Sequence, residues 1–462
     1  TNTPMEDEVT GLKITSGHAQ DKEAQVYFTD KLNKKGDVVD VSGGWYDAGD
    51  YGKYTTTAAL AAGEMMLAYE ASPTKFFQGQ LFFPHGVKEE AMPDALSEVK
   101  FELEFLKKMQ RKDGSTFHKI SGAQWPGFDK SPDTDTQQRY IYSTCTASTA
   151  MAGAAMAMAG RIYSDYDKDF ADDCLKRAKA VWKYLSKEKE SIYRVDEGQE
   201  SGSGPYNDTD DATERCWLAA ELFRTTGDKK YENYLMKQQK NTILQKPSFF
   251  TWDNTLALAQ FSYGMAANAN HDFQLQVRQK LVDYANDIAN TIKNDGYGCS
   301  LKAHEYTWAS TKNAVTKGDI LLMAYQFEAK PEYIDGALDQ IHYMFGRNAL
   351  NKSFMTGMGE NPPEHPHNRI HESTGAYVPG LVVGGPNAVS GGDPDQTKYI
   401  EEYKPAPAKC YLDVLMSWST NEYAIDYNGA GIYALSYFMQ PDKSITAKDL
   451  KLNRSFPKWS FE

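Results

Sequence analysis

Two carboxylates three residues apart, Asp47 and Asp50, lie in the segment Gly43-Gly44-Trp45-Tyr46-Asp47-Ala48-Gly49-Asp50-Tyr51-Gly52-Lys53-Tyr54. Trp45, Tyr46, Tyr51 and Tyr54 bracket them, and an Ala-rich run opens near Thr57. Carboxyl groups among aromatic rings fit sugar chemistry. Ring faces stack on the apolar faces of pyranoses, and a set of carboxyls supplies the base and the acid that cleave a glycosidic bond. The same residue types also suit a turn in which Asp50 caps the following helix. Both readings are open on this segment alone.

A partner acid stands near the other end of the chain. Tyr411-Leu412-Asp413 is followed by Ser417-Trp418-Ser419-Thr420-Asn421-Glu422-Tyr423-Ala424 and Ile425-Asp426-Tyr427-Asn428-Gly429. Ser419 and Glu422 have the spacing of a capping box, so Glu422 could close a helix N-terminus instead of doing chemistry. A third stretch runs from Ser353-Phe354-Met355 to Pro362-Pro363-Glu364-His365-Pro366-His367-Asn368-Arg369. Its prolines exclude a continuous helix, and its His and Arg suit sugar hydroxyls and ring oxygens.

Together these stretches resemble glycoside hydrolase family 9, the cellulase family of inverting enzymes on an (α/α)6 barrel. One family signature, ending Pro-His-x-Arg, is matched from Ser353 to Arg369. The other is matched from Tyr411 to Asn428, except that Gly429 stands where Ser, Thr or Ala is usual. The resemblance implies Glu422 as general acid, Asp50 as base and Asp47 as the group that helps orient the attacking water. It also implies sugar contacts from His367, Arg369 and Tyr427, and a supporting role for Asp413. His118 matches a cleft histidine of relatives, although a structural His at a loop edge is an equal alternative. Trp308, in Tyr306-Thr307-Trp308-Ala309-Ser310, matches a stacking Trp, with Ala309 in place of the usual Gly.

Tyr206 to Glu214 packs Asp208, Asp210, Asp211 and Glu214 ahead of an apolar helix. Acidic groups at a helix N-terminus are stabilising in themselves, and a turn of oxygen-bearing side chains also makes a hard-cation site. The resemblance implies a structural calcium there, with Asp208, Asp211 and Glu214 joined by Asp253. Thr213-Glu214 replaces the relatives' Asp-Glu pair. Some relatives carry a Cys/His zinc, for which no ligands are identifiable in this sequence.

The bulk properties narrow the class. With 462 residues the chain is long enough for one large barrel. A net charge of −13 argues against nucleic acid or an anionic membrane as partner, and leaves an uncharged polymer such as a β-glucan. The five cysteines, Cys145, Cys174, Cys216, Cys299 and Cys410, are widely spaced and read as buried thiols rather than a disulfide framework or zinc site. The Ala147–Gly160 run is too short to span a bilayer. The chain opens on Thr1, which reads as a processed or trimmed form, and the expected substrate class implies a secreted or cell-surface protein. Relatives with this kind of middle region carry an upstream immunoglobulin-like domain, so a larger modular chain is an expectation too, with a monomer as the default state.

Residues 1–40 are polar and read as an extended approach to the barrel, which occupies 41–462 as one domain. Helical periodicity recurs at about 55–70, 92–110, 143–163, 168–189, 210–226, 229–241, 253–267, 271–294, 312–327, 331–347 and 422–440. Eleven helices in consecutive pairs, with no comparable set of strands, predict an all-α toroid of helical hairpins, its twelfth helix unlocated. Long loops are expected at Pro84–Pro93, Ser115–Arg139 and Lys352–Pro407, where function concentrates. The expected activity is inverting hydrolysis of β-1,4-glucosidic bonds, endo-acting. An exo-acting enzyme on the same scaffold, a preference for substituted or mixed-linkage glucan, and a non-catalytic glucan-binding protein are the alternatives.

Overall fold

Helices that are apolar on every side must be surrounded by protein, whereas those with a single apolar stripe sit at the surface. Both kinds alternate along this chain. The computed structural model describes residues 4–7, 9–81, 83, 92–189, 191–194 and 201–440. Among these, α1 (Thr55–Ala71), α3 (Thr146–Ile162), α5 (Ala212–Thr226), α7 (Leu256–Met265), α9 (Ser310–Tyr325) and α14 (Ile425–Phe438) bury nearly all their circumference. The helices α2 (Asp94–Met109), α4 (Lys168–Leu185), α6 (Lys229–Lys237), α8 (His271–Asn294) and α10 (Pro331–Met344) bury one face. In α8 that face is Phe273, Val277, Leu281, Tyr284, Ala285, Ile288 and Ile292, the three- and four-residue spacing of a single stripe.

The buried helices close a ring. α1 packs on α3, α3 on α5, α5 on α7, α7 on α9, α9 on α14, and α14 back on α1. Each outer helix packs on the inner helix that precedes it, so consecutive helices form hairpins around one axis. This is the (α/α)6 architecture the periodicity predicts. Three short helices escape the period, α11 (Arg369–Thr374), α12 (Pro394–Tyr403) and α13 (Trp418–Asn421). All three lie in the connection after α10, and a helix of one to three turns offers too few apolar positions to show a repeat.

A sheet that the sequence reading does not anticipate braces one end of the barrel. The strands β3 (Ala24–Val26), β4 (Val38–Val39), β5 (Lys53–Tyr54), β6 (Phe117–Gly122) and β7 (Arg139–Cys145) pair in the order β4-β3-β7-β6-β5, and β8 (Tyr193–Arg194) adds to β7. A separate hairpin joins β1 (Met5–Asp7) to β2 (Leu12–Ile14). β6 and β7 are antiparallel, with Lys119 opposite Tyr142, while β3 runs parallel to β7. The expected loop 115–139 opens with β6 and is a loop over 123–138 that leads into β7, and residues 1–40 contribute strands rather than a plain approach. Strands of two or three residues carry no readable alternation. Of the expected loop at 84–93, residues 84–91 lie outside the described residues. All five cysteines are buried and unpaired, as expected. Among the described residues no helix is long and apolar enough to cross a membrane.

Candidate active site

The loop from Gly43 to Tyr54 enters α1 directly, and its backbone carbonyls are held one by one. Lys53 Nζ donates to Gly43 O (2.6 Å), Ile425 N to Asp47 O (2.9 Å), Arg369 Nη1 to Gly49 O (2.6 Å) and Arg139 Nη2 to Tyr51 O (2.9 Å). Asp47 N closes the loop on Gly52 O (2.9 Å). Buried carbonyls need such donors, and here the donors also fix the two acids. Tyr51 adopts φ +60°, a left-handed conformation that costs a bulky residue energy and persists only where the surroundings over-determine it. Gly49 is required by close approach, since a Cβ there would lie 2.7 Å from His367 O.

Beneath the loop, Asp21 binds both of the cations that hold it, with Lys53 Nζ at 2.5 Å and Arg139 Nε at 2.9 Å. All three side chains are essentially inaccessible. Burial pushes Asp21 up, but Arg139 and Lys53 outweigh it and hold the carboxyl far below its usual range. His18 extends the clamp, bonding Tyr46 OH (2.7 Å) and Asp135 Oδ2 (3.1 Å). The N-terminal strands thus belong to the frame of the site.

Glu422 approaches from the opposite end of the sequence. It ends α13, with its N–H on Trp418 O, and the next helix begins at Ile425, so neither the capping box at Ser419 nor Asp50 as a helix cap is realised. Asp393 accepts from Ser419 N (3.0 Å) and Oγ (2.7 Å), and Gly384 N donates to Glu422 O (2.9 Å). Asp413 gathers Glu364 N (2.8 Å), His365 N (2.9 Å), Lys352 Nζ (2.8 Å) and Asn421 Nδ2 (3.0 Å), which is the supporting role expected of it. The Glu422 carboxyl then meets Gly49 N at 3.2 Å, beside Asp50.

Asp47, Asp50 and Glu422 together line a cavity of about 510 Å³ with Tyr54, Trp125, Tyr206, Phe249, Trp252, Trp308, Lys312, Asp426 and Tyr427. Asp50 accepts from Gly52 N (2.8 Å) and Tyr54 OH (2.9 Å), and Asp47 accepts from Tyr206 OH (2.8 Å). Tyr206 packs edge-on against Tyr54 and Trp252, ring centroids 4.6 and 5.1 Å away. Burial raises Glu422 well above the usual carboxylate range, reinforced by Asp50 and Asp47 and opposed by Arg369 and the Gly49 N–H. Burial likewise raises Asp47, with Asp426 and Asp50 adding and the Thr57 and Tyr206 hydroxyls opposing. A carboxyl kept protonated near two others is the arrangement that divides acid from base. Exposed Trp125 and Trp308 stand on the cavity wall.

Trp308 and Tyr427 line the cavity, and His118, His367 and Arg369 lie outside its lining. His118 is 1 % exposed and turned to Pro205 O (2.9 Å) and Ser148 Oγ (3.4 Å), behind the wall rather than on it. Arg369 donates through Nε to Pro126 O (2.7 Å) and through Nη1 to Gly49 O, stacked over Phe128. His367 Nδ1 donates to Leu415 O (2.6 Å), and burial brings its pKa down to about 4. Both side chains stand beside the catalytic loop, outside the cavity lining, where the Arg369 charge opposes the rise of Glu422. Tyr206, Trp252, Lys312 and Asp426 are the residues that the sequence reading misses. Only the aromatic just ahead of the acidic turn, Tyr206, carries a signal in the chain.

The expected cation ligands are only partly assembled. Asp208 Oδ2 and Glu214 Oε2 are buried without a hydrogen-bond partner among the described residues; burial, with repulsion from Asp253, Asp210 and Asp211, raises Asp208 to about 7, and burial, with repulsion from Asp208, raises Glu214 to about 8. These two fit a hard cation. Asp211 is instead paired with Arg215 (2.8 Å), and exposed Asp253 takes the Thr251 hydroxyl. Among the described residues no three Asp, Glu, His or Cys side chains converge as a metal cage. Asp211 keeps its other oxygen, Oδ2, buried without a hydrogen-bond partner among the described residues, as Asp208 and Glu214 do.

Comparison with known proteins agrees with this geometry. The family model for glycosyl hydrolase family 9 matches residues 8–435. Endoglucanase D of Acetivibrio thermocellus is 32% identical over 435 residues, covering 93% of this chain and 65% of that protein. Cellulose 1,4-beta-cellobiosidase of the same organism is 32% identical over 444 residues, covering 87% and 49%. The chain thus spans about half to two thirds of these relatives. The crystal structure of GH family 9 endoglucanase J30 superposes with a TM-score of 0.93 at 41% identity, covering 96% of this chain and 82% of the other. On that family match over residues 8–435, the chain belongs to glycosyl hydrolase family 9.

Proposed function

We propose that this chain is an inverting endo-β-1,4-glucanase acting on cellulose or a related β-glucan. The observation that carries the reading is the buried Glu422 carboxyl, pushed toward its protonated form, sharing one aromatic-walled cavity with Asp47 and Asp50. Glu422 gives its proton to the glycosidic oxygen as the bond from the anomeric carbon breaks. A water attacks that carbon from the other face and loses its proton to Asp50, oriented by Asp47. The cycle closes when Asp50 releases that proton to solvent and Glu422 takes one up. Trp308 and Trp125 hold glucosyl units by stacking, and Tyr427 flanks the cleaved unit.

The relatives named endoglucanase favour internal cutting, and the one named cellobiosidase keeps exo action as the second reading. The early product profile from soluble carboxymethyl cellulose and from cellohexaose separates them. A ladder with rapid viscosity loss supports endo action, and disaccharide alone with viscosity kept supports exo action. Glu422→Gln is expected to lower kcat about 10²–10⁴-fold, with activity recovered on a substrate whose leaving group needs no proton. Full activity in that variant refutes the assignment, and glucan binding without hydrolysis by the parent chain revives the binding-protein reading.

A structural calcium between Asp208 and Glu214 belongs to the same proposal. It would neutralise the two raised carboxyls and brace the turn that presents Tyr206 to Asp47. Secretion or surface display follows from the substrate, since an insoluble polymer cannot enter a cell. A modular parent chain fits the greater length of the relatives.

A further inference from the structure

The barrel axis holds four ionisable side chains that the glycosidic reaction does not use. They are Glu64 on α1, Lys312 and Asp319 on α9, and Asp426 on α14, exposed by 1, 1, 0 and 3 %. Lys312 and Asp426 form part of the cleft floor, while Glu64 and Asp319 lie outside its lining. Lys312 Nζ stands 3.9 Å from Asp426 Oδ2 and donates to Phe250 O (2.5 Å). Both oxygens of Glu64, both of Asp319 and Asp426 Oδ1 have no hydrogen-bond partner among the described residues.

Three carboxyls share one ammonium here. A dry interior does not hold uncompensated charges; the groups neutralise instead. One carboxylate pairs with Lys312, and the paired one is Asp426. Glu64 and Asp319 must then keep their protons. Burial raises all three acids, in line with that count, and Lys312 opposes it in each.

Gly429 adds an independent observation. A Cβ at this position would lie 2.1 Å from Glu64 Oε2. The departure from the Ser, Thr or Ala usual in the signature is therefore the room that Glu64 occupies. The cluster also reaches the catalytic loop, because Ile425 N–H bonds Asp47 O (2.9 Å) and so sets Asp426 beside Asp47 on the cleft floor.

We propose that Glu64, Lys312, Asp319 and Asp426 form a buried proton-holding cluster, one ion pair and two retained protons, that serves as the electrostatic counterweight beneath Asp47. Lys312 and Asp426 are positioning residues for the water-activating carboxyls, and Gly429 is the space the cluster needs. The groups that face Asp47 are Asp426, Asp50, Glu422, Lys312 and the Tyr206 and Tyr54 hydroxyls. Tyr427 and Tyr433 face the cluster from α14.

Two measurements test this, one of them independent of the glucanase reading on which the link to Asp47 rests. The first is the infrared C=O stretch of protonated carboxyls in the purified chain near neutral pH. Glu64→Gln and Asp319→Asn are each expected to remove one band, and Lys312→Met to add one as Asp426 takes up a proton. Bands unchanged in both E64Q and D319N overturn the cluster, whether or not the chain hydrolyses glucan. The second is the pH profile of kcat/KM on a soluble β-glucan. Losing the carboxylate in D426N lowers the acid limb by about one pH unit, and K312M lowers it likewise, because Asp426 becomes neutral as the ammonium is lost. E64Q leaves the limb in place. A limb unmoved in folded D426N overturns the link to Asp47, and it decides alone if K312M does not fold. A parent chain with no activity on any β-glucan overturns the link together with the functional reading, while the infrared result still decides the cluster. Finally, Gly429→Ala lowers Tm and Glu64→Ala added to it restores Tm; no restoration overturns the spatial coupling.

Discussion

Tyr206→Phe removes one hydroxyl and nothing else from the wall of the cleft. In the parent that hydroxyl donates to Asp47 Oδ2 at 2.8 Å, in a site where burial and the charges of Asp426 and Asp50 all resist ionisation of Asp47. A hydrogen bond to a charged group contributes about 1.5–3 kcal/mol. At about 1.36 kcal/mol per pH unit, its loss shifts the ionisation by about 1–2 units. The sign follows from what the bond favours. It favours the Asp47 carboxylate, so its removal raises the pKa of that group. The acid limb of kcat/KM is therefore expected to move up by about 1–2 pH units. The rate well below that limb falls by about ten- to a hundredfold, and the alkaline limb, set by Glu422, stays. The ring still packs between Tyr54 and Trp252, so KM changes little. The assay is the pH profile of reducing-end release from a soluble cellulose derivative. An acid limb within a few tenths of a unit of the parent, with any loss uniform across pH, would show that Tyr206 is wall and nothing more.

Three further outcomes are expected. Asp21→Asn leaves Lys53 and Arg139 buried without their carboxylate, which costs about 3–5 kcal/mol in chemical denaturation, and kcat falls more than KM changes because the loop carrying Asp47 loses its frame; undiminished stability refutes the clamp. In metal-free protein the raised Asp208 and Glu214 favour folding while protonated, so their contribution is lost as pH climbs toward about 8. The Tm gained by adding calcium to EDTA-treated protein should accordingly grow over that same range, since the ion must displace those protons, and a gain independent of pH refutes the site. Ala309 occupies the left-handed region at φ +66°, so Ala309→Gly should stabilise the chain by up to about 1 kcal/mol in urea, and a less stable variant refutes the strain.

The fold was legible where the helices are long. Eleven amphipathic or uniformly apolar runs register a 3.6-residue period, and their strict succession is enough for a ring of hairpins. The three short helices of the 369–421 connection and the strands of the brace were not, because a few residues carry no measurable period. Residues 1–40 show the cost of that blindness. They look like a tether, yet Asp21 sits at the centre of the clamp, since an aspartate's partners across more than a hundred positions leave no trace in its own neighbourhood.

The sequence by itself singled out Asp47, Asp50 and Glu422, because the long motifs that hold them resemble one family in matching order, and it determined the ring of helices, because hydrophobic periodicity is local. Only the tertiary structure decided the roles of polar side chains whose chemistry is ambiguous. His118, His367 and Arg369 each bond a backbone carbonyl, Asp211 pairs with Arg215, and Lys312 stands 3.9 Å from Asp426. The physical reason is that a charged or hydrogen-bonding group is defined by what lies within about 3 Å of it. In this ring those neighbours come from opposite ends of the chain.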